Sequence, residues 1–520
     1  METKCIHETL HEPPITHAIS HWDKDSRTLT YEYNGSNLIC INISAETSEV
    51  YFRRGSDGNL QSSPFTQQLY ITTNEETTAK VKFQLSFDAI NMRPNRAKLD
   101  QAILGQIGHP LIYGVNGLYD IDQDLMIAWY GRDWKWINDS LKKDNKGKYY
   151  VEIEVKLGLS PWVITLKMQY YRKHLGYSYY KPWDRKPNKK AVTGWCSWEA
   201  FRNDVTEDDV IKTTEFLSQS LKPYGLEYIQ IDDGYQQQSI PIEADGYIAD
   251  SWLKMNDKFP SGHIGLVNDI KSMGLKAGVW TSASVNNEEF AEKSTVCIKD
   301  ENEKPVCGEW IMYVLDCSKE TLAKYVLPYY KGLKEAGYSY FKADCIRHLL
   351  YDGLQKAVGK GLITNNDADS KFRAFLECIR EGIGGNSYLL ACWGVLPQIV
   401  GIADACRIAT DANPSWGALS MQMVETARWF HSQRILFLND PDHICARANI
   451  EWTRSILSLT SLAGSLLMLS DPVEMYDDER MDIIKHSIPS LTTITAETGP
   501  LEVDYPAFAK TLMTKSNDEH

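Results

Sequence analysis

The sequence is short of positive charge, of uninterrupted apolar runs and of paired cysteines. Lysine and arginine number 55 against 69 aspartates and glutamates, for a net charge of −14. A nucleic-acid binder needs a basic surface to neutralise phosphates, so the balance argues against that class. The longest apolar stretch, 456–469, is interrupted by Ser458, Thr460, Ser461, Gly464 and Ser465. It falls short of the ~18 residues that span a bilayer, and no membrane partner is expected. The first residues, METKCIHETLHEPP, carry charges where a secretion signal has its apolar core. The 11 cysteines form no CxxC pair. Cys40, Cys345, Cys392 and Cys406 lie in apolar or strand-like runs and read as small core residues. Reduced thiols and a cytoplasmic location are the expectation. No GxGxxG or Walker-type loop is present, so a nucleotide cofactor is not expected. No other cofactor and no metal is implied either.

What is there is ordinary globular composition, 43% hydrophobic and 24% charged. At ~150 residues per domain, 520 residues imply three or four units, although one α/β barrel can take ~250. Residues 28–172 read as β structure. Val151 to Leu157 alternates apolar and charged side chains, as a strand with one buried face does. Similar runs occupy Thr28–Tyr33, Leu38–Ile43, Val81–Phe87 and Leu125–Tyr130, with turn signals at Asn34-Gly35 and Asp57-Gly58. An antiparallel β-sandwich is the expected N-terminal domain, 1–190. It ends in Lys181 to Lys190, whose prolines and basic residues read as a linker rather than a phosphate site.

After Ala191 strands and helices alternate. Thr206 to Asp209 resembles a capping box, and Val210, Thr214, Leu217 and Leu221 follow at helical spacing. Strands are expected at 192–198, 226–232, 275–281, 338–344, 387–393, 405–411, 434–439 and 465–470. Eight such units match a parallel (β/α)8 TIM barrel over 191–488, in an α/β chain with a short C-terminal tail, 489–520.

Active sites of such barrels lie at the carboxyl ends of the strands. Those ends read Trp195-Cys196-Ser197-Trp198, Asp232-Asp233, Trp280, Lys342-Ala343-Asp344, Cys392-Trp393, Arg407 to Asp411, Asn439-Asp440 and Asp471. Carboxylates among tryptophans suit sugar chemistry, in which a retaining glycosidase sets two carboxyl groups ~5–5.5 Å apart. Each residue also has a plainer role. A carboxylate after a strand caps the next helix, and a tryptophan fills the core. Asp440-Pro441-Asp442-His443 reads as a turn and helix start before it reads as a metal site. Only the accumulation on one rim favours chemistry.

The segments GWCSWEAF (194–201), IQIDDGYQ (229–236), KAGVWTS (276–282), YFKAD (340–344) and CRIATDANPSW (406–416) resemble the melibiase clan of glycoside hydrolases. Order and spacing are most like compact family 36 α-galactosidases, which also carry a β-sandwich before the barrel. The resemblance implies Asp344 as nucleophile and Asp411 as general acid/base. It implies Asp232, Asp233 and Lys342 on sugar hydroxyls, Arg407 beside the reaction centre, and Trp195 and Trp280 as aromatic walls. Asp344 is expected to stay ionised beside Lys342 and Arg407, and Asp411 to be buried and protonated. Cys392-Trp393 stands where family members carry small or polar residues near the sugar's 2-substituent, and the large Trp393 there either narrows the pocket against an N-acetyl group or reshapes it for another sugar. The tail leaves room for a strand or two in place of a C-terminal β domain.

The expected activity is therefore a retaining exo-α-galactosidase acting on an oligosaccharide or glycoconjugate with a terminal α-linked sugar. An α-N-acetylgalactosaminidase and a raffinose-synthase-like transglycosidase are the alternatives within the resemblance. An aldolase using Lys342 as a Schiff base and a non-catalytic sugar-binding protein stand outside it. Relatives include monomers and larger assemblies, so a homo-oligomer stays open.

Overall fold

The computed structural model describes residues 18–33, 36–43, 49–55, 65–84, 92–95, 116–120, 124–130, 133–137, 142–145, 149–174, 176–180, 190–237, 253–282, 284–394, 396–429, 432–433, 436–491, 493–498 and 512–516. The chain divides into two units, 1–178 with 496–500 and 179–495 with 501–520.

The first unit is built of two antiparallel sheets. One runs Ala18–Asp23, Thr28–Tyr33, Ser36–Ile43, Thr77–Gln84, Tyr149–Leu157 and Trp134–Trp136, with Lys142–Lys143 also on Tyr149–Leu157. The other runs Val50–Gly55, Thr66–Thr73, Trp162–Met168, Leu125–Tyr130, Asn116–Asp120 and Met92–Asn95. Alternation explains the layering. Ile153, Val155 and Leu157 are buried, while Glu152 and Glu154 face outward opposite Lys82 and Lys80. Both sheets contribute to one core, in which Phe83 of the first stacks on Trp129 of the second at 4.7 Å. The expected turns at Asn34-Gly35 and Asp57-Gly58 lie outside the described residues, as does the basic stretch up to Lys189.

The second unit holds eight parallel strands: Thr193–Cys196, Tyr228–Ile231, Lys276–Ser282, Tyr340–Asp344, Tyr388–Ala391, Ala405–Arg407, Leu438–Asp440 and Leu467–Leu469. They pair in sequence order, and the eighth returns to the first. The Leu466 N–H donates to the Asn439 carbonyl at 2.9 Å, which bridges the remaining gap between the seventh and eighth strands. Helices fill the connections. Glu207–Ser220 starts in the capping box expected at Thr206, with Asp209 as its reciprocal partner, and Val210, Thr214 and Leu217 face the core. Inside the barrel the rings of Tyr228, Tyr340 and Tyr388 pack in a tilted row, with centroids 5.7 and 5.6 Å apart. Gly194 makes room for them, because a Cβ there would lie 2.6 Å from the Tyr228 carbonyl oxygen. Among the described residues the tail contributes two paired strands, Thr493–Thr498 and Leu512–Ser516.

Two expected elements differ. The sixth strand stops at Arg407, so Asp411 stands on the loop beyond it rather than on the strand. No helix begins at Asp440-Pro441-Asp442-His443; the next helix is Ile450–Leu462. Asp442 instead takes a left-handed backbone (φ 81°) and is buried.

Candidate active site

Side chains two apart on a strand share a face, so Tyr340, Lys342 and Asp344 climb one inner wall of the barrel. Tyr340 is at the packed floor, Lys342 is buried midway, and Asp344 reaches the rim half-buried. The Lys342 Nζ donates to Asp232 Oδ2 at 2.8 Å. The same carboxylate accepts from Gln230 Nε2 at 2.6 Å and from Cys196 Sγ at 3.3 Å. Burial would lower the Lys342 amine, but Asp232 reverses this and holds it protonated, well above its ordinary range. An amine held that way is a poor nucleophile, which counts against the Schiff-base aldolase.

Asp233 follows on a tight turn. Gly234 has φ 116°, and a Cβ on it would sit 2.8 Å from the Asn203 backbone, so the Asp-Asp-Gly sequence requires its glycine. Burial, then the Asp232 charge, raises the Asp233 carboxyl.

Asp344 is clamped from several sides. Trp280 Nε1 donates to Oδ2 at 2.9 Å and the Cys345 N–H to Oδ1 at 2.7 Å. Burial would raise this carboxyl, but Lys342, the Trp280 N–H, Arg407 and the Cys392 thiol together hold it below the usual carboxylate range. The following residue, Cys345, has φ 59°, a left-handed backbone that costs ~1–3 kcal/mol outside glycine.

Arg407, buried at the end of the sixth strand, pairs with Asp411 through one guanidinium nitrogen and with Asp442 through the other, the latter at 2.7 Å. Burial would lower the guanidinium, but Asp442 first, with Cys392, Asp411 and Asp344, holds it protonated, well above its ordinary range. Asp442 Oδ2 also accepts the Ala412 N–H at 2.7 Å, and Asp442 Oδ1 lies 3.0 Å from His443 Nδ1. Burial would raise Asp442, yet Arg407 and His443 hold it far below the usual range. One buried carboxylate thus fixes both the arginine and the loop that carries Asp411. The sequence reading missed this role; its one signal was a second acid at the end of the seventh strand.

Three expectations are corrected. Trp195 is not a wall of the site. Cys196 faces inward to Asp232, so alternation turns Trp195 the other way, where it is fully buried, meets Phe201 and donates to the Asp471 carbonyl at 2.9 Å. Cys392 has no accessible surface for a ligand; its thiol supports Asp344 instead. Asp411 is not buried, since its side chain is 61% exposed. Trp280 and Trp393 are both half-buried. Trp393, held at φ 56°, lies under the guanidinium groups of Arg407 and Arg347 at 4.8 and 5.1 Å.

Burial, then the Asp442 charge, pushes Asp440 up to about 6. Its folded value exceeds the ~3.9 of an unfolded aspartate, so its stabilising contribution is complete below about pH 4 and is lost as the pH rises through about 6. Asp440→Asn keeps an acceptor for the Asp442 N–H, which is 3.0 Å away. It is expected to stabilise the fold by up to ~3 kcal/mol at pH 8 and by much less at pH 4.5. Thermal unfolding at both pH values checks this, and an equal shift at both would contradict it.

Residues 165–368 match the family model described as Melibiase, a stretch that includes Asp232, Asp233, Lys342 and Asp344 but ends before Asp411. Proteins named probable alpha-galactosidase B are similar over a shorter region. That of Talaromyces emersonii is 34% identical over 96 residues, 18% of this chain and 20% of that protein. That of Neosartorya fischeri is 35% identical over 100 residues, 19% of this chain and 21% of that protein. The chain therefore spans about a fifth of the length of these curated relatives. TtGalA, an alpha-galactosidase from Thermus thermophilus solved with p-nitrophenyl alpha-D-galactopyranoside, superposes with a TM-score of 0.50 at 18% identity, covering 88% of this chain and 93% of that one. That likeness bears out the architecture of a β-domain with a TIM barrel. Four of the five strand-end segments that resemble the melibiase clan of glycoside hydrolases, those between 194 and 344, lie inside the stretch that matches the Melibiase model.

Proposed function

We propose that the protein is a retaining exo-α-galactosidase that removes terminal α-linked galactose by double displacement. The observation that carries this reading is Asp344, a rim carboxylate kept ionised by Lys342, Arg407 and the Trp280 N–H. Asp344 attacks the anomeric carbon while Asp411 gives a proton to the departing oxygen, and a glycosyl-enzyme forms. Asp411 then takes a proton from the incoming water, and the sugar leaves with its configuration retained. Asp232, Lys342 and Asp233 offer acceptors and a donor to the sugar hydroxyls, and Trp280 offers an aromatic edge.

Placement in family 36 rests on the β-sandwich ahead of the barrel. Free thiols at all ten cysteines among the described residues support a reducing compartment, the cytoplasm. No helix among the described residues is long and apolar enough to cross a membrane.

The test is hydrolysis of p-nitrophenyl α-galactoside followed by proton NMR of the first-formed sugar. α-Galactose appearing before β-galactose is the expected result. Cleavage of the α-glucoside or α-N-acetylgalactosaminide in preference would overturn the choice of sugar, and β-galactose first would overturn retention.

A further inference from the structure

Between the third and fourth barrel strands a tight turn closes at 308–312. Cys307 and Tyr313 pair as an antiparallel bridge, and the Gly308 N–H donates to the Met312 carbonyl at 2.7 Å. At its apex the N–H groups of Glu309, Trp310 and Ile311 all converge on the Asp352 carboxylate, at 2.9, 2.6 and 3.0 Å. A Cβ at Gly308 would come within 2.5 Å of Asp352 Oδ2, so the turn wraps its anchor as closely as a glycine allows. What this fixed turn displays is Trp310, 73% exposed. A large aromatic ring left in water on an immobilised backbone adds little to folding but is suited to binding, because little freedom is lost when a ligand settles on it.

The ring belongs to a continuous track. Trp310 stacks on His348 at 5.8 Å with 25° between planes. His348 lies 6.4 Å from Trp393. Trp393 lies under Arg407, which pairs with Asp411. The track therefore links the exposed Trp310 ring, through His348, Trp393 and Arg407, to the residue assigned to protonate the leaving oxygen, beside which the leaving group departs. The C–H face of a pyranose, slightly positive, matches the negative face of an indole. We propose that Trp310 is a platform for the saccharide leaving group, a specificity residue that favours substrates carrying a sugar beyond the scissile bond over those that carry none. This rests on the glycosidase reading above.

The experiment compares kcat/KM for an α-galactosyl trisaccharide with that for α-galactosyl fluoride, which has no leaving-group sugar. In Trp310→Ala the trisaccharide-to-fluoride ratio is expected to fall ~10-fold or more, and in Trp310→Phe to stay within ~3-fold. An unchanged ratio, or an equal loss on both substrates, overturns the platform. Binding gives a readout free of turnover. In Asp344→Asn the trisaccharide should bind ~10-fold tighter than galactose, and adding Trp310→Ala should remove that advantage. Should the wild type cleave neither substrate, the glycosidase reading fails and the binding comparison alone decides the platform. A changed sedimentation state in Trp310→Ala with unchanged sugar binding would assign the ring to a contact between copies of the chain and overturn the proposal.

Discussion

Asp344→Ala is expected to lower kcat on p-nitrophenyl α-galactoside by ~10⁴-fold or more while the fold stays intact. The size follows from the role. Without the carboxylate no covalent intermediate forms, and the remaining groups only bind and polarise. The stability cost is expected to be small, because the removed charge was held partly buried against Lys342 and Arg407, and both keep other partners, Asp232 and Asp442. Azide supplied to Asp344→Ala should restore turnover by attacking from the vacated side, giving a galactosyl azide of inverted configuration. Steady-state kinetics with product NMR checks both points. Near wild-type turnover in Asp344→Ala would remove this residue from the mechanism.

Asp442→Ala is expected to be the most damaging change outside the reacting carboxylates. It leaves Arg407, 3% exposed, with Asp411 as its remaining ion-pair partner among the described residues, and it strips the Ala412 N–H of its acceptor. Breaking a buried pair from one side costs ~3–5 kcal/mol. The rate should fall as well, by ~10²-fold, because the loop bearing Asp411 loses an anchor and misplacement of ~1 Å has that effect. Asp442→Asn separates the two contributions. Its amide oxygen can still accept one hydrogen bond, so much of the stability should return, but a neutral group cannot hold the guanidinium charge and the rate should stay low. Urea unfolding and kcat on the same variants decide this, and unaffected turnover in both would confine Asp442 to a structural role. Asp442 also predicts acid sensitivity. Its carboxyl is depressed in the fold, so the stability it contributes is present above the ~3.9 of an unfolded aspartate and is lost as the pH falls below that value.

Much of this architecture is legible in the sequence, for reasons of periodicity. All eight barrel strands fall where apolar runs end in polar residues, and the alternation in 151–157 marks the outer and inner faces of a sandwich strand. What the motifs leave open is which way a given side chain points. Trp195 lies in the most recognisable segment, yet Cys196 is the residue that faces inward, so the parity of a short strand sends the tryptophan into the helical layer. A bulky aromatic beside a motif reads as a ligand wall only until one neighbouring side chain fixes the parity. The expected sixth strand, 405–411, carries Asp411 at its end, but the strand stops at Arg407, and the loop beyond gives Asp411 its exposure. The role of Asp442 is not legible in the sequence, because it comes from contacts with Arg407 and Ala412, 35 and 30 residues away in the chain. Local pattern carries no information about such pairs.

The most direct measurement is trapping. A fluorinated galactosyl fluoride whose glycosyl-enzyme hydrolyses slowly should leave one sugar per chain, and peptide mass spectrometry should find it esterified to Asp344. A sugar attached to any other residue, or an enzyme that turns the reagent over without ever carrying it, would contradict the double displacement.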